Sequence, residues 1–108
     1  HCAARVHVMH DTSTDPLTEF RAVNTNGTLN LAKQAADVGV KRFIFISTIK
    51  VNGEYTVDGV PFTPNDTFIP TDPYGQSKFE AEIGLKKIAL DVNISSPTSI
   101  FFNGSIII

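Results

Sequence analysis

A continuous apolar run that directly follows an amphipathic helix limits the folds open to this chain. Residues 43–46, Phe-Ile-Phe-Ile, are all apolar, as expected for a strand that is covered on both faces. The helix before it is predicted to begin at Asp15-Pro16, an N-cap followed by a first-turn proline, and to stop at Gly39. A helix that alternates with a buried strand predicts an α/β fold with a parallel sheet.

Composition excludes several classes of protein. The chain has 108 residues, of which 42% are hydrophobic and 19% charged, which is typical of one globular domain. The net charge is −2 with no basic cluster, so we expect neither a nucleic acid nor a membrane as partner. Cys2 is the single cysteine, which excludes an intrachain disulfide and a cysteine metal cluster. The chain starts without methionine and shows no signal peptide, so we expect a segment of a longer, cytoplasmic protein.

The first predicted helix has one mainly apolar face with a polar residue in it. Asn24 lies on this face, and a buried amide requires hydrogen-bond partners. Two interpretations stay open: a structural side chain that bonds to nearby backbone, or one that ties down a neighbouring strand end or a ligand. Gly27 lies on the same face and would allow the helix to press close to the sheet. The predicted face comprises Leu17, Phe20, Asn24, Gly27, Thr28, Leu31, Ala35 and Val38.

Two hydroxyl side chains, Ser47 and Thr48, come at the carboxyl end of the predicted strand. Ligands in open α/β sheets bind outside the carboxyl ends of the strands, which suggests a functional role. Serine and threonine also end strands simply by bonding to turn backbone. Taken alone, this position favours the second interpretation.

A lysine interrupts the apolar stripe of the second predicted helix, which begins at Asp72-Pro73. Lys78 lies one turn after Tyr74 on the same face, within a stripe of Tyr74, Lys78, Ala81, Leu85, Ile88 and Val92. Its stem could snorkel to water, which is a purely structural explanation. Alternatively, its charge could lower the pKa of the phenol toward neutrality and make Tyr74 a proton donor and acceptor at pH 7.

Four motifs in this order resemble the extended short-chain dehydrogenase/reductase family of nucleotide-sugar epimerases, dehydratases and reductases. They are "HCAA" at the start, "NTNGTLNL" in the first helix, "STIKVNG" after the strand and "DPYGQSK" at the second helix. The likeness runs from residue 1 to about residue 90 and is strongest to UDP-glucose 4-epimerase-like and 4-keto-sugar reductase-like members. The resemblance implies a partial Rossmann-type, doubly wound parallel sheet within a larger NAD(P)-binding domain.

The resemblance also implies a role for each matching residue. Tyr74 would be the catalytic acid/base, Lys78 would lower its pKa and bind the nicotinamide ribose, and Thr48 would hydrogen-bond the reacting sugar oxygen. Hydride would pass between a sugar carbon and NAD or NADP. The cofactor-binding residues implied are Ala3, Ala4, Asn24, Ser47, Tyr74 and Lys78, with no metal.

The chain also departs from the family pattern. It contains no glycine-rich phosphate loop and no substrate-binding C-terminal domain, so we expect residues 1–108 to be the central part of the NAD(P)-binding domain. Residues 91–108 lack the expected Arg-Pro strand, although this tail is apolar enough to form a strand. By itself the segment is expected to be inactive.

Two classes of function therefore remain. The first is a nucleotide-sugar epimerase or reductase that acts on a UDP-sugar. The alternative is a truncated, catalytically silent Rossmann-type binding or scaffolding domain. A dehydratase is disfavoured, because Ile49 and Lys50, rather than acidic residues, follow Thr48. Phe79 and Ile83 lie away from the Tyr74 stripe, and by resemblance they predict a homodimer of the longer protein.

Overall fold

The structure is a computed structural model that describes residues 3–6, 14–63, 66, 68–91, 99–101 and 105–107. The strand end predicted at His1 and the stripe residue Val92 lie outside the described residues. The elements, in chain order, are helix α1 (Pro16–Phe20), a π-helical segment (Arg21–Gly27), helix α2 (Thr28–Asp37), strand β1 (Ile44–Ile46), a 3₁₀ turn (Ile49–Val51), helix α3 (Pro73–Asp91), strand β2 (Ser99–Phe101) and strand β3 (Ser105–Ile107).

Both helix starts are confirmed, and each has the predicted aspartate cap. The Asp15 carboxylate accepts a hydrogen bond from the Thr18 backbone N–H at 3.2 Å. The Asp72 carboxylate accepts one from the Gly75 backbone N–H at 3.0 Å, at the start of α3. These bonds satisfy first-turn N–H groups that have no partner within the helix.

The stop at Gly39 is also confirmed. Gly39 has φ of +77°, a left-handed conformation that glycine adopts without a Cβ clash. Its N–H donates to the Ala36 carbonyl at 3.0 Å, and the Val40 N–H donates to the Ala35 carbonyl at 2.9 Å. This pair of bonds is a Schellman motif, which ends α2 and turns the chain toward β1.

The face predicted for the first helix is wrong beyond residue 27. Leu31 and Val38 are exposed, whereas Ala32 is buried and Leu29 packs against the core. The cause is the π-helical segment, Arg21–Gly27, whose wider turns accommodate one extra residue. After this segment, the residues that face the core therefore lie one position later in the sequence than a regular α-helix predicts, such as Ala32 instead of Leu31. A constant helical period cannot anticipate that shift.

The close approach predicted at Gly27 occurs at a different glycine. A Cβ added to Gly27 would meet only the Ala22 carbonyl oxygen, at 3.6 Å. A Cβ added to Gly84 would lie 2.5 Å from Leu29 Cδ2. Close packing at a helix glycine therefore joins α3 to α2, and the expectation for Gly27 is wrong.

The stripe predicted on α3 is confirmed within the described residues. Lys78, Ala81 and Leu85 are buried, and Tyr74 and Ile88 are partly buried. This stripe packs on α2 and β1 in a core that comprises Ala32, Phe45, Ala81 and Leu85, with Leu29, Phe43 and Ile88 at its edge.

The described strands form an antiparallel sheet of order β1-β3-β2, not the predicted parallel one. Ile44 pairs with Ile107, and Ser99 with Ile107 on the other edge of β3. Only three residues separate β2 from β3, whereas parallel pairing needs a crossover of about a dozen residues or more. The tail does supply strand, as its composition predicted. No helix in the described part of the chain has the length and apolar character needed to cross a membrane.

Candidate active site

One cleft of about 490 Å³ gathers most of the predicted site residues. Ala3, Ala4, Ser47, Tyr74 and Lys78 all line it, although they come from three separate parts of the sequence. β1 and the turn after α2 form another wall of the cleft, through residues 42–46. Thr48 and Asn24 are not among the lining residues. The structure therefore brings together five of the seven residues predicted for the site.

Lys78 is held at the inner wall of the cleft and does not snorkel to water. Its side chain is only 6% exposed, and its ammonium donates to the Ile46 carbonyl at 2.8 Å. The same ammonium lies 4.5 Å from the centroid of the Phe45 ring, a cation–π contact. Burial lowers the pKa of Lys78, and the charge of Glu82 opposes this shift. The lysine thus has N–H groups left for a ligand in the cleft.

Tyr74 has a pKa that is raised, which is opposite to the direction predicted from its spacing to Lys78. Burial is the largest cause, the charge of Lys50 opposes it, and the charge of Asp72 adds to it. Lys78 is not among these causes. In this structure the phenol is therefore neutral at pH 7 and fit to donate a proton.

Ser47 presents a buried hydroxyl beside Lys78. It is 8% exposed, and its Oγ has no hydrogen-bond partner of good geometry among the described residues. It lies close enough to Glu82 to lower the pKa of that carboxyl, although burial is the larger effect and raises it. A buried hydroxyl without a partner is costly, so this group fits a ligand that enters the cleft.

Thr48 follows the cleft-lining residue Ser47 and has the structural role of bonding to turn backbone. Its Oγ1 accepts a hydrogen bond from the Lys50 backbone N–H at 3.4 Å and caps the 3₁₀ turn. The hydroxyl hydrogen has no acceptor among the described residues. Thr48 can therefore hold the turn and donate to a ligand at the same time.

Asn24 is buried outside the cleft lining and connects the segment around Arg5 to α3 through hydrogen bonds. Its Oδ1 accepts from the Arg5 backbone N–H, and its Nδ2 donates to the Arg5 carbonyl, both at 2.9 Å. The same Nδ2 donates to Ser77 Oγ at 3.0 Å. Of the two interpretations left open, the structure supports the one in which Asn24 ties down a neighbouring segment. Through Arg5 it fixes the backbone next to Ala3 and Ala4.

Two supporting residues were missed by sequence reasoning. Ser77 is fully buried and donates to the Tyr74 carbonyl at 2.7 Å, which links Asn24 to the helix start. Phe20 contacts the Tyr74 ring edge to face, with 6.1 Å between centroids. Helical spacing could have indicated Ser77, three residues after Tyr74, but no sequence signal pairs Phe20 with Tyr74. The described residues contain no cluster of three or more histidine, cysteine or acidic side chains that could hold a metal.

Comparison with known proteins agrees with this site. A profile of the NAD dependent epimerase/dehydratase family matches residues 1–104, which extends past residue 90, where the likeness was expected to end. The chain is 57% identical to a UDP-glucose 4-epimerase of Vibrio cholerae over 108 residues, covering 96% of this chain and 33% of that protein.

Two further relatives are more distant. A UDP-glucose 4-epimerase of Lacticaseibacillus casei is 33% identical, with 81% of this chain and 28% of that protein covered. A dTDP-D-glucose 4,6-dehydratase of Mus musculus is 40% identical, with 76% and 22% covered. The chain spans a third or less of the length of these relatives, and no solved structure matches it significantly. With a family match over nearly its whole length, the chain belongs to the NAD dependent epimerase/dehydratase family.

Proposed function

We propose that this chain is the central part of an NAD(P)-binding domain in a longer nucleotide-sugar epimerase or reductase. A UDP-sugar is the proposed substrate, because four of the similar proteins are named UDP-glucose 4-epimerase. The observation that supports the proposal is that Tyr74, Lys78 and Ser47 all line one cleft.

The residues of the cleft fit a nicotinamide dinucleotide. Ala3 and Ala4 are small enough to let a bulky ligand approach the backbone. Lys78 and Ser47 offer a cationic N–H and a buried hydroxyl without a partner among the described residues, which suit ribose hydroxyls. When bound, NAD or NADP would accept hydride from the sugar carbon and return it.

The chain's own residues would handle the proton. Tyr74 would take the proton of the sugar hydroxyl as hydride leaves and give it back in the reverse step. Thr48 would donate a hydrogen bond to the same oxygen with the hydroxyl hydrogen that its capping bond leaves unused. Tyr74 can take this proton only as the phenolate, and the charge of Lys50 favours that form by opposing the effect of burial on the pKa of Tyr74.

The same proposal covers fold and location. Family membership implies a Rossmann-like NAD-binding fold, and we propose that β1 belongs to its parallel sheet in the longer protein. The glycine-rich loop and the substrate domain would then come from outside residues 1–108. A cytoplasmic location is also proposed, on the basis of the single cysteine.

A homodimer of the longer protein is proposed on the outer side of α3. Ile83 is exposed there, and Phe79 is partly buried. Replacing both by glutamate should place charges in the contact and yield monomers in light scattering. A wild-type protein that is already monomeric would contradict this part of the proposal.

Turnover of UDP-glucose by the longer protein tests the function. Tyr74→Phe keeps the ring packing on Phe20 but removes the proton, so turnover should fall on the order of 10²- to 10⁴-fold. NADH affinity should stay close to that of the wild type. Tyr55→Phe is the matched control, because Tyr55 is 82% exposed and outside the cleft, and it should leave turnover unchanged. Equal turnover in both variants would contradict the assignment of Tyr74, whereas no turnover by the wild-type protein would favour a silent binding domain.

A further inference from the structure

An ion pair joins the two segments that carry the proposed catalytic hydroxyls. The Lys50 ammonium lies 3.3 Å from Asp72 Oδ1. Lys50 is two residues after Thr48, and Asp72 is two residues before Tyr74. The pair therefore connects the two segments within two residues of each hydroxyl-bearing side chain.

Each end of the ion pair is fixed to local backbone. The Lys50 N–H donates to Thr48 Oγ1 at 3.4 Å, so the lysine and the threonine belong to one capped turn. The Asp72 oxygen that binds Lys50 also caps α3 through the Gly75 N–H at 3.0 Å. A continuous path of bonds thus runs from the Thr48 side chain to the first turn of the Tyr74 helix.

Other contacts between these segments lie farther from the chemistry. The Phe68 N–H donates to the Val51 carbonyl at 3.1 Å, and Thr71 donates to Glu54 at 2.9 Å. These bonds close the loop, and the Lys78 ammonium ties α3 to the Ile46 carbonyl, two residues before Thr48, at 2.8 Å. Among the described contacts between the segments, Lys50–Asp72 is the one that joins two full charges.

We propose that Lys50 is a positioning residue whose ion pair with Asp72 sets the separation between the Thr48 and Tyr74 hydroxyls. This inference rests on the proposed function, because both hydroxyls must reach one sugar oxygen. Both side chains of the pair are partly exposed, and exposed ion pairs add little to stability. The effect of the pair should therefore be on turnover and not on folding.

Steady-state kinetics of the longer protein with UDP-glucose test the proposal. Lys50→Met should lower kcat on the order of 10- to 100-fold, the loss expected for a misplacement of about 1 Å, with little change in KM or melting temperature. Lys50→Arg should restore most of the turnover, because it keeps the charge. Lys87→Met removes an exposed lysine elsewhere on α3 and serves as the control.

A double-mutant cycle separates positioning from general damage. Asp72→Asn keeps a side chain that can cap the helix but removes the charge, so it should resemble Lys50→Met. The double variant should be no worse than the worse single variant, because one interaction is lost in all three. Amide hydrogen exchange should rise in residues 48–52 and 72–76 together and stay unchanged in residues 80–90.

The outcomes distinguish this inference from the function on which it rests. Normal kcat in Lys50→Met, with turnover abolished in Tyr74→Phe, would overturn the positioning role and leave the function standing. Multiplicative losses in the double variant would also overturn it. Unaffected turnover in Tyr74→Phe would instead contradict the proposed role of Tyr74, and no turnover by the wild-type protein would contradict the proposed function itself.

Discussion

Replacing Asn24 by alanine should loosen the cleft without touching any group proposed to meet the ligand. The Asn24 side chain is 1% exposed and is not among the residues that line the cleft. It nevertheless makes three hydrogen bonds, two to the Arg5 backbone and one to Ser77. Alanine removes all three and leaves a cavity where the amide was.

The expected loss in free energy of unfolding on Asn24→Ala follows from these three hydrogen bonds. A typical buried hydrogen bond contributes about 1 kcal/mol net, so three bonds give about 3 kcal/mol. Ser77 moderates the loss, because its hydroxyl keeps the bond that it donates to the Tyr74 carbonyl. We therefore expect Asn24→Ala to lower the free energy of unfolding by about 2–4 kcal/mol. NADH affinity should fall as well, since Arg5 adjoins the Ala3-Ala4 wall of the cleft.

Urea unfolding of the longer protein, followed by circular dichroism, measures the cost. Asn30→Ala is the matched control, because Asn30 is an exposed asparagine on α2 that accepts one bond, from Gln34. It should change stability by less than about 0.5 kcal/mol. Equal effects of the two substitutions would refute the argument that Asn24 fastens the Ala3–Val6 segment to α3.

Three further predictions follow from single features of the chain. Gly75→Ala should destabilise the protein by about 1–3 kcal/mol in urea unfolding, because its Cβ would lie 2.6 Å from the buried Pro70, whereas Gly27→Ala should stabilise it. Burial raises the pKa of Glu82 in the folded protein. Its contribution to the free energy of unfolding is therefore fully present below the unfolded-state value of 4.5 and is lost as the pH rises through the folded-state pKa. Glu82→Gln should therefore raise the urea midpoint at about pH 7 but not at about pH 4, whereas Glu80→Gln, which breaks a salt bridge, should not raise it. The isolated chain should bind NADH more weakly than the longer protein in calorimetric titration, because it has no glycine-rich phosphate loop.

Local signals predicted the helix boundaries and the α3 stripe well. The Asp-Pro pairs and Gly39 set the helix ends through hydrogen bonds within one turn, so the helix boundaries can be predicted without knowledge of the rest of the fold. The Tyr74–Lys78 spacing likewise placed both residues on one face of α3, although the pKa direction inferred from it was wrong. These features depend on residues at most four positions apart.

Features that depend on long-range contacts could not be predicted in the same way. The π-helical segment moved the inner face of α2 from Leu31 to Ala32, and no propensity scale marks such a segment. The direction of the Tyr74 pKa shift depended on burial by the surrounding fold, which outweighs the charge of Lys50. The antiparallel pairing of β1 with β3 depended on how the tail folds back.

The most direct test of the account is a crystal structure of the longer protein with NAD and UDP-glucose bound. The account predicts the nicotinamide ribose beside Lys78 and Ser47 in the cleft. It also predicts Tyr74 Oη and Thr48 Oγ1 within about 3 Å of the same sugar oxygen. A dinucleotide bound outside this cleft, or a sugar oxygen held by side chains other than Tyr74 and Thr48, would contradict the proposed active site.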